Sequence, residues 1–221
     1  NPKPRLVRLP KDKSIIVYYG LKNQGAAAAV KKLSGKKFSI PIGVSIAKTN
    51  KDFPNHEEKL DDWIKGIKML KDLGSYCTIN LSCPNTTDPA NFCDPRLLKK
   101  LIQRVEKEKI EFKKPVFLKL TADLSEKQSD EIIRLCHPKP WITGFILSNL
   151  VKDRSKLQLK SPKEAHQQYK GGLSGKLVQP FSLNLIRHFR KKSGDRFIII
   201  GCGGIFTAED AYGYIKAGAN L

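Results

Sequence analysis

The chain has 221 residues, 40% of them hydrophobic, which suffices for one sizeable core and is short for two, so we expect a single domain. No apolar run approaches the roughly 18 residues of a membrane-spanning helix, and the opening NPKPRLVRLPKDK lacks the apolar centre of a secretory signal. The formal net charge of +20 suggests nucleic-acid binding, but the lysines are dispersed without interleaved aromatics, so a solvated basic surface is the favoured interpretation.

From residue 40 onward, short apolar runs alternate with longer amphipathic segments. The runs predict buried parallel strands, and they lie at 40–47, 76–81, 115–121, 142–148 and 196–201. The segments between them predict helices, because their apolar residues recur at helical spacing. The predicted core positions on these helices include Leu60, Trp63, Ile64, Ile67 and Leu70 on the first, and Ala211, Tyr212 and Ile215 on the last. A further helix is expected near 25–33.

Five consecutive strand–helix units predict an α/β fold with a parallel sheet, either doubly wound or closed as a (β/α)8 TIM barrel. A complete barrel takes about 250 residues. We therefore expect an incomplete TIM barrel with about five to six of its eight units present. The polar segment 151–170 is expected to form a long loop over one end of the sheet.

The cysteine and histidine pattern argues against a structural metal or disulfides. The five cysteines form an odd set without a CxxC pair, and the four histidines have no metal-ligand spacing relative to them. We expect reduced thiols and no metal site.

The carboxyl ends of the predicted strands carry an unusual set of residues. Functional side chains in parallel α/β sheets cluster at these ends. The residues found there are Ser45, Asn80, Ser82, Cys83, Asn85, Lys119, Ser148, Asn149, Gly203 and Gly204. Lys119 is the least ordinary, because a lysine within a run of large apolar residues is costly to bury without a negative partner.

Two glycine-rich segments suggest a negative partner. GGLSGK (171–176) and GCGGI (201–205) are predicted loops whose backbone amides can approach an anion closely. Thr207 can cap the helix that follows the second segment, so a phosphate on that helix N-terminus is one expectation. Together the loops favour a phosphorylated cofactor.

The motifs NLSCPNT, VFLKLTADL, ILSN, GGLSGK and IIIGCGGI, in this order, resemble the dihydroorotate dehydrogenase family of flavin-dependent (β/α)8 barrels. NPKPRLVRLP and YGLKNQG are similar to its quinone-linked second class. The resemblance covers essentially the whole chain. It implies one FMN-binding barrel domain over residues 1–221 that lacks the first two strands and the last strand.

The resemblance also implies an activity, namely oxidation of dihydroorotate to orotate in pyrimidine (UMP) biosynthesis. The electron acceptor would be quinone, fumarate or NAD. The implied location is cytoplasmic, or peripheral on the cytoplasmic membrane if the protein is quinone-linked. Membrane association would then depend on an N-terminal segment that this chain does not contain.

Residue roles follow from the same resemblance. Asn80, Asn85 and Asn149 would bind substrate, with Asn80 and Asn149 also near the flavin. Lys119 would lie beside the isoalloxazine and stabilise the negative charge of the reduced flavin. The remaining FMN contacts would be Ser45, Ser148, Ser174, Gly175, Gly203 and Gly204, the last four holding the phosphate.

Cys83 falls at the position of the family's catalytic base. It would remove the proton from C5 of dihydroorotate while hydride passes from C6 to flavin N5. A thiol needs a lowered pKa for that role near neutral pH.

Four features depart from the quinone-linked pattern. Cysteine is typical of the soluble first class, whereas quinone-linked members usually have serine as the base. Ser45 replaces an asparagine, Leu150 replaces a hydroxyl residue, and Val17 with Tyr18 replaces an Asn-Arg pair. Two alternatives therefore stay open: a related FMN barrel acting on another pyrimidine or enoyl substrate, and a non-catalytic basic protein that binds nucleic acid.

Overall fold

A computed structural model describes residues 2–82 and 91–221 of the chain. The strands are β1 (Leu6–Leu9), β2 (Ser14–Val17), β3 (Gly43–Ile46), β4 (Tyr76–Asn80), β5 (Val116–Leu120), β6 (Gly144–Leu147), β7 (Gly172–Gly175) and β8 (Ile198–Gly201). The α-helices are α1 (Ala26–Leu33), α2 (His56–Leu70), α3 (Pro95–Lys107), α4 (Glu126–Cys136), α5 (Gln179–Ser193) and α6 (Ala208–Ala217). In the described ranges, none of these helices is long and apolar enough to cross a membrane.

The main sheet has the parallel order β3-β4-β5-β6-β8. The five predicted strands are therefore confirmed, and each pairs in parallel with the next predicted strand along the chain. The helix predicted near 25–33 is confirmed as α1. Most helices begin where a polar side chain accepts a backbone N–H of the first turn. These caps are Asn55 for α2, Asp94 for α3, Ser125 for α4 and Thr207 for α6.

Side chains alternate between the two faces of this sheet, and one face carries the core. Val44, Ile46, Cys77 and Ile79 are buried in the same apolar cluster as Trp63 of α2, which confirms the predicted helix stripe. We call this the outer face because the helices pack on it. The opposite positions form the inner face. They include Ser45, Thr78, Asn80, Phe117, Lys119 and Ile198.

A second, antiparallel sheet of order β1-β2-β7 was not predicted, and it corrects one prediction. The segment GGLSGK is not simply a loop, because Gly172–Gly175 pairs with Ser14–Val17 as a strand. Glycine disfavours strands locally, so the pairing depends on a partner more than 150 residues away along the chain. The local composition could not reveal it.

The polar segment 151–170 is attached to this small sheet. Val151 pairs with Leu173 of β7, and Arg154 donates hydrogen bonds to the carbonyl oxygens of His166, Tyr169 and Gly171. The Arg154 guanidinium therefore links the two ends of this segment by hydrogen bonds. The expected long loop contains two short 3-10 helices, at Arg154–Lys156 and Lys163–Ala165.

Asp12 ties the same segment to the N-terminal strands. Its buried carboxylate accepts the backbone N–H groups of Lys160 at 2.7 Å and Ser161 at 3.1 Å. Burial alone raises the pKa of Asp12, but the hydrogen bonds from the Ser161 side chain and from these two amides outweigh it. The pKa of Asp12 is consequently below its usual value.

The apolar face predicted for the last helix is wrong. Tyr212 and Ile215 are 69% and 49% exposed, and Ala211 is exposed as well, whereas Tyr214 and Ala217 are buried. Helix α6 turns Tyr214 under Gly201 and packs against α5. Periodicity identifies an apolar stripe but cannot show which neighbouring element covers it.

Candidate functional site

The inner face becomes polar toward the carboxyl ends of the strands. Tyr76 and Phe117 pack edge to face near the amino ends, with ring centroids 5.7 Å apart. One step further along, Asn80 of β4 and Lys119 of β5 are direct partners in the strand register. The predicted substrate amide and the predicted flavin cation are therefore neighbours on one surface.

Lys119 is half-buried on this surface. Within residues 2–82 and 91–221 its ammonium forms no hydrogen bond or ion pair. A partly desolvated ammonium without a partner in those ranges is suited to hold a ligand with negative charge. Ser45 lies on the same face on β3 and is exposed.

The structure brings two of the three predicted substrate asparagines together through Ser82. Ser82 Oγ donates to Asn80 Oδ1 at 3.2 Å, and Asn149 Nδ2 lies 3.0 Å from the same Oγ. Asn149 Nδ2 is also 3.1 Å from the Ser82 carbonyl oxygen, and Asn149 Oδ1 accepts the Leu150 N–H. The ends of β4 and β6 are joined by this network although β5 separates them in the sheet.

Ser148 is directed away from the inner face. Its Oγ is 2.7 Å from Ser182 Oγ on α5, and Ser182 in turn donates to the Cys202 carbonyl oxygen at 3.0 Å. Ser148 is 2% exposed and Ser182 is fully buried. The Ser148 hydroxyl thus links the residue after β6 to α5 and, through Ser182, to the residue after β8.

The two predicted phosphate loops meet. A Cβ added to Gly204 would lie 2.8 Å from the Gly175 carbonyl oxygen, and Gly204 has a φ of +69°. Gly203 has a φ of +110°, which also favours glycine. The backbones at Gly175 and Gly204 therefore approach each other closely, with no side chain between them.

Thr207 caps α6 as expected, and an acidic side chain in the first turn accepts several hydrogen bonds. Asp210 in its first turn accepts the Phe206 N–H at 2.9 Å and hydrogen bonds from Lys176 and Gln179. The Lys176 side chain, then Gln179 and the Phe206 amide, hold the pKa of Asp210 well below its usual range. The phosphate expected at this helix stays a prediction.

The buried cysteines are packing residues. Burial raises the pKa of Cys77, Cys93 and Cys136 to about 12, so none of these three thiols would be a base near neutral pH. Cys83 and Asn85 lie outside the described residues, and their assigned roles stay predictions. Among the residues that are described, no cluster of three or more His, Cys, Asp or Glu is arranged to hold a metal ion.

Comparison with known proteins identifies the family. The family model described as dihydroorotate dehydrogenase matches residues 1–221. The chain belongs to the dihydroorotate dehydrogenase family.

Curated relatives in this family are named dihydroorotate dehydrogenase (quinone). The chain is 36% identical to that of Trichormus variabilis, 35% to that of Mycolicibacterium smegmatis and 37% to that of Brucella ovis. Each match covers 100% of this chain and 59%, 60% and 60% of the relative, respectively. The chain thus spans about three fifths of the length of these relatives.

Solved structures of the family agree with the fold. The dihydroorotate dehydrogenase of Eimeria tenella in complex with ferulenol superposes with a TM-score of 0.84 at 28% identity, over 99% of this chain and 64% of that one. Its ligand-free form gives a TM-score of 0.80. The five parallel strands with helices on the outer face are therefore part of a TIM barrel, as predicted.

Sequence reasoning did not assign a role to two serines of this dihydroorotate dehydrogenase fold. The sequence places Ser82 only among the strand-end residues and indicates nothing about Ser182. Both are buried and bridge segments far apart in the chain. The position of Ser82 between Asn80 and Cys83 could have indicated its role. The residues around Ser182 contain no such indication.

Proposed function

We propose that the protein is an FMN-dependent oxidoreductase that converts dihydroorotate to orotate in pyrimidine biosynthesis. The observation that carries this proposal is the grouping of Asn80, Ser82, Asn149 and Lys119 at the carboxyl ends of β4 to β6. Amides suit the carbonyl and N–H groups of a pyrimidine ring. The family membership supports the same substrate.

The residues present fit FMN on two counts. Lys119 offers an ammonium without a partner in the described ranges, and Gly175 and Gly204 bring the backbones of two loops together without side chains that would cover their amides. We propose that Ser45, Asn80, Lys119, Asn149 and the backbone at Ser148 contact the flavin. Ser174, Gly175, Gly203 and Gly204 would hold its phosphate through backbone amides.

Each side chain then has a defined task. FMN, when bound, supplies the hydride acceptor for C6 of dihydroorotate. Cys83 removes the proton from C5, and Asn85 joins Asn80 and Asn149 in holding the ring and carboxylate. Lys119 stabilises the negative charge that develops next to it as the hydride is transferred.

The domain and acceptor assignments extend the proposal. Residues 1–221 would form one FMN-binding barrel domain that lacks the first two strands and the last strand. Quinone is the favoured acceptor because the curated relatives carry it in their names, with fumarate or NAD as the alternatives. The location would be cytoplasmic, or peripheral on the cytoplasmic membrane if quinone is the acceptor.

The test is a visible absorption spectrum of the purified protein under anaerobic conditions, with and without dihydroorotate. A flavin band that bleaches on addition is the expected result. A flavin band that persists would contradict the assignment of dihydroorotate as the substrate and favour another pyrimidine or an enoyl compound. The first variants to make would then be Ser45 to asparagine and Leu150 to a hydroxyl residue. Absence of flavin together with salt-dependent binding of DNA would favour the nucleic-acid alternative.

A further inference from the structure

The side-chain amides of Asn80 and Asn149 share one hydroxyl, that of Ser82. This serine is 5% exposed and lies two residues after the end of β4. Its Oγ lies 3.2 Å from Asn80 Oδ1 and 3.0 Å from Asn149 Nδ2. A serine hydroxyl has one hydrogen to donate and lone pairs to accept. The Ser82 hydroxyl can therefore accept from one of the two amides and donate to the other.

The direction runs from Asn149 through Ser82 to Asn80. Asn149 Nδ2 donates to Ser82 Oγ, and the Ser82 hydroxyl donates to Asn80 Oδ1. The Leu150 N–H, which donates to Asn149 Oδ1 at 2.9 Å, fixes the starting end, because that oxygen cannot exchange places with the amide nitrogen without losing this bond. The Leu150 N–H thus orients the Asn149 amide, and the Ser82 hydroxyl orients the Asn80 amide.

As a consequence, one of the two amides faces a ligand as a donor and the other as an acceptor. Asn80 uses its oxygen on Ser82, so its NH2 group, which has no acceptor in residues 2–82 and 91–221, is left to donate to a ligand. Asn149 uses its NH2 on Ser82 and retains a lone pair on Oδ1, so it can accept from a ligand N–H. A planar ring with a carbonyl or carboxylate and an adjacent N–H matches this pair.

We infer that Ser82 is a positioning residue that orients the Asn80 amide as a donor beside the acceptor oxygen of Asn149, and thereby sets the ligand specificity of the site. The inference rests on the proposed function. It assigns Ser82 no contact with the reacting atoms. Loss of its hydroxyl would leave Asn80 free to present its oxygen, which repels the carbonyl or carboxylate oxygen of the ligand.

The experiment measures orotate affinity by calorimetry and thermal stability for Ser82→Ala, Asn80→Ala and the double variant. Ser82→Ala should weaken orotate binding by about tenfold, as expected for a misdirected hydrogen bond. In the Asn80→Ala background, Ser82→Ala should cause at most about a third of that loss in binding free energy, because the Asn80 amide that Ser82 orients is gone. A merely structural role would lower the melting temperature equally in both backgrounds without this coupling in affinity.

Ser193→Ala is the matched control. Ser193 is also a buried serine, and its hydroxyl donates to the Phe189 carbonyl oxygen at the far end of α5. The Ser193→Ala substitution should leave orotate affinity unchanged. Unchanged affinity in Ser82→Ala, or an equal loss in the presence and absence of Asn80, would overturn the positioning role while the proposed function stands. Failure of the unsubstituted protein to bind orotate would overturn both.

Discussion

The contact between the two glycine loops can be tested with Gly204→Ala. The new Cβ would lie 2.8 Å from the Gly175 carbonyl oxygen and 2.8 Å from Gln179 Cβ, both closer than real Cβ contacts. Gly204 also has a φ of +69°, where an L-residue costs about 1–2 kcal/mol. Displacing well-packed neighbours adds about 1–3 kcal/mol. We therefore expect the free energy of unfolding to fall by about 2–5 kcal/mol.

Gly35→Ala separates the two contributions. Gly35 has nearly the same φ, +71°, but nothing lies within 4 Å of its added Cβ, so this variant measures the backbone cost alone. Urea denaturation of the two variants and the unsubstituted protein gives the difference. Gly204→Ala should be the less stable by about 1–3 kcal/mol. Equal destabilisation would refute the close approach of the loops after β7 and β8.

Three further results are expected. Asp12→Asn should lower stability at pH 7 by about 1.5–3 kcal/mol, because the folded protein hydrogen-bonds the ionised form. Since the folded-state pKa of Asp12 is lowered, its contribution is present above the unfolded pKa of about 3.9 and is lost as the pH falls through the folded value. The acid-unfolding profile of Asp12→Asn should accordingly be flatter below pH 4, and a profile parallel to that of the unsubstituted protein would contradict the assignment. Cys83→Ala should retain FMN but slow flavin reduction by dihydroorotate by about 10²–10⁴-fold in stopped-flow absorption, whereas Cys136→Ala, which removes a buried thiol with a pKa of about 12, should not. Lys119→Met should lower the midpoint potential of the bound flavin by about 30 mV or more, which is about 1.4 kcal/mol for a two-electron couple. An unchanged potential would mean that the Lys119 ammonium does not lie beside the flavin.

The sequence by itself determined the elements whose pattern is local. Short apolar runs placed β3 to β6 and β8, and helical spacing placed the helices between them, because strands buried on both faces are apolar throughout and helices buried on one face are apolar along one stripe. Polar residues at the strand ends identified the edge of the sheet where Asn80 and Lys119 meet. The motif order was sufficient to indicate the family.

Only the tertiary structure decided what depends on partners distant in the chain. Strand β7 exists because Ser14–Val17 pairs with it, and Tyr212 is exposed because nothing in the described structure packs on its side of α6. Ser82 reaches Asn149 across 67 residues, and Ser148 turns toward α5 for a hydroxyl 34 residues away. A hydrogen-bond partner is selected by three-dimensional proximity, which residue spacing along the chain does not encode.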